Sequence, residues 1–361
     1  MKITQTIRNK IHLYGRSLLC SGLLAFCASC TDWVYDDRSG CDNGIYLNFR
    51  YDYNLQRVDM FSDHVGGIAV YVFDAEGNFV TRQTVSNTTG SAPLRSKGYR
   101  MHLDLPAGDY RFVALAMQKD VDETQQGKKA KFLITEPTNG KQEDLSVTLE
   151  HDADGQVKHK GMPLDTLWHG MSTRVITVSD LYAVSDTLSL MRNTKHINVV
   201  LREIDNPEGV DVRDYDFAIT DRNLRLLYDN SVDESETAVY TPYATWNTED
   251  RPVGDALQGA GRMAHADFMT SRILYHDRAE EDAVLTVTHR ESGKEVIRVN
   301  LADMLSRLRN SDELYEYSEQ EFLDRGYDYR MTFFLKGDTW EAVDLKISVL
   351  SWSKRIQNII L

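Results

Sequence analysis

The chain has 361 residues, 42% of them hydrophobic, with 41 basic against 55 acidic side chains and a formal net charge of −14. That balance argues against nucleic acid and anionic lipid head groups as partners, because both are bound through clustered Lys and Arg. A chain of this length exceeds what one hydrophobic core usually serves, so two domains are expected.

The first thirty residues form a segment of their own. Lys2, Arg8, Lys10 and Arg16 make a positive region, Ser17 to Phe26 an apolar run, and Ala28-Ser29 the small residues a signal peptidase accepts. Cys30 follows directly. Residues 1–29 therefore read as a lipoprotein export signal, with Cys30 as the lipidated first residue of the mature chain. An ordinary secretory signal needs no cysteine there, and Cys27 is a poorer acceptor behind bulky Phe26. The apolar run is about ten residues, half of the roughly twenty a spanning helix requires. Cleavage would leave 37 basic against 55 acidic residues, net −18. Cys20 and Cys27 would leave with the signal and Cys30 would carry lipid, so Cys41 has no intramolecular disulfide partner. A small, partly buried residue at the start of the first strand suits Cys41 better than a reactive thiol.

Residues 30–43 are polar and acidic and suit a tether between lipid and folded domain. From Gly44 the texture changes to short alternating segments. Ile68, Val70 and Val72 alternate with Ala69, Tyr71 and Phe73, and Asp74 to Asn78 supplies a turn into Phe79-Val80. Leu103 and Leu105 end another strand, Pro106 to Asp109 turns the chain, and Tyr110, Phe112, Ala114 and Ala116 begin the next face. Residues 118–143 are polar and read as a loop or mobile hairpin. Val147 to Leu149 and Val175 to Val178 are further strands. A second series starts near Met191 with Ile197 to Leu201, Tyr215 to Thr220, Ala283 to Val287 and Val296 to Val299, and the chain ends in Tyr329 to Leu335 and Val343 to Trp352. Helix signals are few. Leu301, Met304, Leu305 and Leu308 share one helical face, and Ser318 to Glu321 is a capping box opening a helix that stops at Gly326. The pattern predicts an all-β protein of two antiparallel β-sandwich domains, residues 44–188 and 189–361, with a few short helices.

The chain lacks a Walker loop, GxGxxG, GxSxG, HExxH and CxxC, so the common motif routes to an enzyme are closed, and no cofactor or metal is expected. His151 to Gly155 (HDADG) has acidic spacing faintly like a calcium loop, but a third oxygen ligand and the later glutamate are missing, and a solvated turn fits better. His169, beside Trp168, has no neighbouring carboxylate in sequence and reads as a packed residue. Glu313, Glu316, Glu319 and Glu321 include spacings open to a glycosidase pair, yet a solvated helix face is the plainer reading. Trp33, Tyr35, Tyr46, Tyr51 and Tyr53 are placed either to grip carbohydrate or to pack the first strand, and their alternating context favours packing. The apolar terminus Ile356, Ile359, Ile360 and Leu361 is either a last strand closing the second domain or a segment that adds to another subunit's sheet.

Cys41 to Tyr53 (CDNGIYLNFRYDY) and Val65 to Phe79 (VGGIAVYVFDAEGNF) resemble the start of the fimbrial anchor lipoproteins of Bacteroidetes. Met191 to Arg202, Phe322 to Leu335 and Trp340 to Trp352 resemble that family's second half, so the likeness spans the mature chain. The resemblance implies two transthyretin-like sandwiches and an anchor subunit of a type V fimbria. Such a subunit is held at the outer membrane by lipid on Cys30, exposed at the cell surface, and bound to the shaft subunit by strand addition. Shaft relatives are trimmed so that a strand is lost and the groove accepts a neighbour's strand. Anchor members keep theirs, which fixes the fibre and terminates assembly or limits its length. Here the retained strand would lie near Ile45 to Phe49 and the donor candidate at Ile356 to Leu361. Asp32, Asp36 and Asp37 resemble the phylum's surface-export signal, and Asp165-Thr166-Leu167 and Asp186-Thr187-Leu188 its O-glycosylation motif. The rival readings are a tip or accessory adhesin working through loops such as 118–143 or 229–262, and a surface glycan-binding lipoprotein or hydrolase.

Overall fold

The structure is a computed structural model that describes residues 43–126, 129–137, 140–250, 261–309, 314–349 and the backbone of 352–360. Strands of the first half are β1 (Ile45–Tyr53), β2 (Gly67–Asp74), β3 (Phe79–Ser86), β4 (Arg100–Leu103), β5 (Gly108–Met117), β6 (Phe132–Thr135), β7 (Ser146–Leu149), β8 (Leu167–Met171), β9 (Ile176–Val178) and β10 (Val184–Arg192). The second half adds β11 (Lys195–Glu203), β12 (Tyr215–Asp221), β13 (Arg225–Leu227), β14 (Val232–Asp233), β15 (Ala238–Tyr240), β16 (Ala244–Asp250), β17 (Gly261–Thr270), β18 (Val284–His289), β19 (Glu295–Asn300), β20 (Asp328–Lys336), β21 (Thr339–Val349) and β22 (Trp352–Ile360). The helices are short: α1 (Phe61–His64), α2 (Val121–Gln126), α3 (Leu301–Ser306) and α4 (Glu319–Arg325). Asn300 caps α3 and Ser318 caps α4, each side chain accepting from the backbone N–H three residues on; the Ser318 cap is the one the capping box predicts.

The first sheet runs β3-β2-β5-β8-β10-β1-β4, with β9 also on β5. It curls until its two edge strands face each other, where Gln83 Nε2 of β3 donates to the His102 carbonyl of β4 at 3.1 Å. The concave face encloses a core of Ile45, Leu47, Phe49, Val70, Phe112 and Trp168, among others. The convex faces of β2 and β5 are buried as well, through Ala69, Tyr71, Phe73, Val113 and Leu115. Burial on both sides explains why β2 (GIAVYVFD) is an unbroken apolar run rather than an apolar/polar alternation.

The second core lies between the sheet β16-β17-β11-β20-β21-β22 and the sheet β15-β12-β18-β19. Phe217, Ile219, Leu285 and Val287 meet Val199, Phe268, Met331 and Phe333 there. A small sheet, β14-β13-β7-β6, takes strands from both sides of residue 188, so the convex face of the first sheet and the second sandwich share one apolar cluster. The all-β sandwich fold is as the strand pattern predicts. Two pairings depart from antiparallel order: β1 with β10 and β11 with β20 are parallel. The segment 118–143, expected as a loop or mobile hairpin, carries α2 and β6, and β6 pairs antiparallel with β7. Val121, Ala130 and Phe132 are buried and cover the convex sheet face, which three apolar residues in a polar stretch do not advertise.

Buried charge ties the second half together. Lys195 Nζ donates to the carbonyls of Leu323, Asp324 and Gly326 at 2.5–3.1 Å, closing the C-terminal end of α4 onto β11. Arg272 grips Asp324 through two N–H donors, both at 2.8 Å. Removing one partner of a buried pair leaves the other unsolvated, so Asp324→Ala should lower stability by about 3–5 kcal/mol. The check is the urea unfolding midpoint. A shift no larger than that of an exposed carboxylate variant would show the pair is dispensable.

Candidate assembly site

The strand β1 alternates apolar and polar residues (IYLNFRYDY), and Ile45, Leu47, Phe49 and Tyr51 all turn into the concave core at 5% exposure or less. Each such side chain contributes about 1.5–3 kcal/mol of burial. Both flanks of its backbone are occupied. One side pairs in parallel with β10, from Ile45 opposite Val184 to Arg50 opposite Ser189. The other pairs with β4, from Ile45 opposite Leu103 to Asn48 opposite Arg100. Further along this flank the chain's own loop closes the strand: Met60 N–H donates to the Tyr51 carbonyl at 3.1 Å, and Asp59 Oδ1 accepts from Tyr51 N–H at 3.0 Å. Outward side chains reinforce the register, with Asn48 donating to Ser185 Oγ and the Asp186 carbonyl, and Tyr46 stacked on His102 at 4.6 Å.

The two ends of β1 are fastened differently. At its start Gly44 adopts φ +80°, and a Cβ there would lie 2.3 Å from the Leu103 carbonyl oxygen, so the approach demands glycine. Val184 N–H donates to the Gly44 carbonyl and His102 Nε2 donates to that of Asn43. At its far end a set of stacked cations and rings joins β1 to the second half of the chain. The Arg325 guanidinium lies 4.1 Å from the Tyr53 ring and 4.8 Å from the Tyr317 ring, while Arg57 Nε donates to Tyr317 Oη at 2.6 Å. Arg192 covers the Tyr327 ring at 4.2 Å. Sequence reasoning missed these arginines. Their partners lie far away in sequence, 260 residues for Arg57 and Tyr317 and further for Arg325 and Tyr53, and no local pattern marks them.

The strand β22 lies antiparallel on β21 at the edge of the six-stranded sheet, with Ile356 opposite Leu345, Ile359 opposite Val343 and Ile360 opposite Ala342. Leu361, Cys30, Cys41, Trp33, Tyr35 and Glu313 lie outside the described residues. In the HDADG segment Asp152 Oδ1 accepts from the N–H groups of Asp154 and Gln156. Gly155 adopts φ +77° with the Thr237 carbonyl oxygen 1.9 Å from where a Cβ would stand, so its glycine serves a backbone crossing. The described residues hold no cluster of three or more His, Cys, Asp or Glu suited to a metal. Glu319 pairs with Arg309 and Glu321 with Arg325, and Glu316 lies 4.0 Å from Arg57, so these carboxylates are spread among separate cations. Thr187 is exposed, whereas Thr166 is buried.

The geometry defines a β-sandwich protein whose first strand is built in on both flanks and whose last strand is an edge. Residues 38–358 match the family described as Fimbrillin-A associated anchor proteins Mfa1 and Mfa2. The chain is 23% identical over 279 residues to the minor fimbrium anchoring subunit Mfa2 of Porphyromonas gingivalis, covering 76% of this chain and 75% of that one. A crystal structure of a candidate adhesin from Bacteroides thetaiotaomicron shares 30% identity, with a TM-score of 0.70 over 88% of this chain and 99% of the other. The solved anchor Mfa2 of P. gingivalis superimposes with a TM-score of 0.58 at 17% identity, over 87% of this chain and 99% of that one. The chain belongs to the fimbrial anchor family.

Two outcomes follow. Leu47→Ala should lower stability by about 2–5 kcal/mol, because a closed slot cannot collapse around the lost methyls. Denaturant titration reads this directly, and a loss below about 1 kcal/mol would mean that β1 is loosely held. Burial pulls His169 down to about 4, and its Nε2–H donates to the Tyr228 carbonyl at 2.7 Å. A folded-state value below the unfolded one means the contribution is whole above about pH 6.5 and is lost as pH falls towards 4. His169→Gln should therefore flatten the acid limb of stability between those values, and an unchanged limb would remove His169 as its cause.

Proposed function

We propose that this chain is a lipid-anchored fimbrial subunit that fixes a type V fimbria to the outer membrane through Cys30 and ends or limits its assembly. Family membership supports a fimbrial anchor or accessory role, and the families matched are fimbrial and adhesive structural proteins rather than enzymes. The observation that carries the finer reading is the doubly paired β1. A strand whose two backbone flanks are already hydrogen-bonded and whose side chains fill the core leaves no slot for a neighbour's strand. A subunit in that state ends a chain of strand exchanges. The shaft contact is then assigned to the other end of the sequence, where the apolar terminus Ile356, Ile359, Ile360 and Leu361 is the candidate donor, as residues 44–188 and 189–361 are the two candidate domains.

Mass spectrometry of the mature N-terminus, from outer membrane and from sheared fimbriae, tests this. The expected product is diacylglyceryl Cys30 followed by an intact Thr31 to Phe49. A chain trimmed beyond β1 would make it a polymerising or tip subunit instead. Cys30→Ala should release whole filaments into the medium, and deletion of Ile356 to Leu361 should abolish shaft binding while the folded domain persists. Unchanged binding after that deletion would eliminate the donor assignment.

A further inference from the structure

The turn between β9 and β10 carries Leu181 and Tyr182, 58% and 63% exposed, the one place among the described residues where two adjacent large apolar side chains are both more than half exposed. Leu181 N–H donates to Ser179 Oγ at 3.1 Å, which holds the turn in shape. Because β1 and β10 are parallel and Ile45 lies opposite Val184, the residues preceding each strand emerge at the same end of the molecule. Asn43, the first described residue, therefore lies at the same end as this tip. The second half of the chain joins at the opposite end of β1, where Arg325 meets Tyr53.

We infer that Leu181 and Tyr182 rest on the lipid surface that holds the acyl chains of Cys30, so that the anchor stands on the membrane by three points rather than swinging on a tether. This rests on the lipid-anchor reading. From Cys30 to Asn43 the chain spans roughly 45 Å when extended and about 20 Å as a relaxed coil, so lipid lies within constant reach. Tethering makes the second contact intramolecular, and a Leu and a Tyr are then sufficient where they would not recruit a free protein. Tyrosine favours the boundary between apolar and wet layers. Asp104, Asp109 and Asp180 at the same end oppose deep insertion and attraction to anionic head groups, which leaves shallow contact by the apolar side chains. The result is an oriented molecule, with the clasped end of β1 directed away from the bilayer.

The test uses the full lipidated protein in phosphatidylcholine vesicles, with Cys41→Ser and a nitroxide on Leu181→Cys, compared with a nitroxide on Thr187→Cys, an exposed residue further along β10. Collision with a water-soluble nickel reagent should fall several-fold at 181 relative to 187, and collision with oxygen should rise. Equal nickel accessibility at both sites in protein that floats with the vesicles would overturn the inference and leave the anchor reading intact. Protein that carries no lipid or fails to float would overturn both. Protection at 181 that arises only after shaft subunit is added would assign the tip to protein contact and overturn the lipid contact.

Discussion

Everything else in this protein is arranged around the two-sided pairing of β1. A sheet edge is a template, and the energy that lets one subunit capture another's strand is the same energy that β1 provides within its own chain: backbone hydrogen bonds on each flank and alternate apolar side chains in the core. The parallel partner β10 is reached only after six intervening strands of the same sheet and the small sheet's first two. The strand that begins the fold is thus completed by a strand at the end of the first half. Its other flank is finished by β4 and then by the loop through Asp59 and Met60.

That closure is also tied to the rest of the molecule. The rings and guanidinium groups of Tyr53, Arg57, Tyr317 and Arg325 attach the far end of β1 to α4, and α4 is held in turn by Lys195 and by the Arg272–Asp324 pair. The small sheet unites β6 and β7 with β13 and β14, and the convex face of the first sheet shares one apolar cluster with the second sandwich. Pull on the C-terminal half is therefore passed to β1 through packed side chains rather than through a flexible linker. Such rigidity suits a subunit of the fimbrial anchor family.

Much of this was legible in the residues. Alternation in Ile45 to Tyr53, the turn at Asp74 to Asn78, and the cap at Ser318 are local, and local rules found many of the strands and two of the four helices, α3 and α4. The order of the strands was not legible, because pairing depends on partners 137 residues apart, as for Asn48 and Ser185. The parallel pairings were hidden for the same reason. The segment 118–143 was obscured by composition, since Val121, Ala130 and Phe132 are outnumbered by polar neighbours although they are its buried apolar contacts with the core. In the candidate site, the apolar terminus and the first strand were visible as patterns, whereas the arginine clasp is a product of tertiary contact between single residues.

The most direct test of β1 as a permanent, non-exchangeable part of the fold is amide hydrogen exchange measured across Ile45 to Tyr53 and across Phe112 to Ala116 of β5. Both segments should exchange only through global unfolding, with equal protection and equal response to low denaturant. Exchange in β1 that is markedly faster than in β5, through an opening that leaves the rest of the sheet protected, would mean that the slot can be vacated and would contradict that permanence.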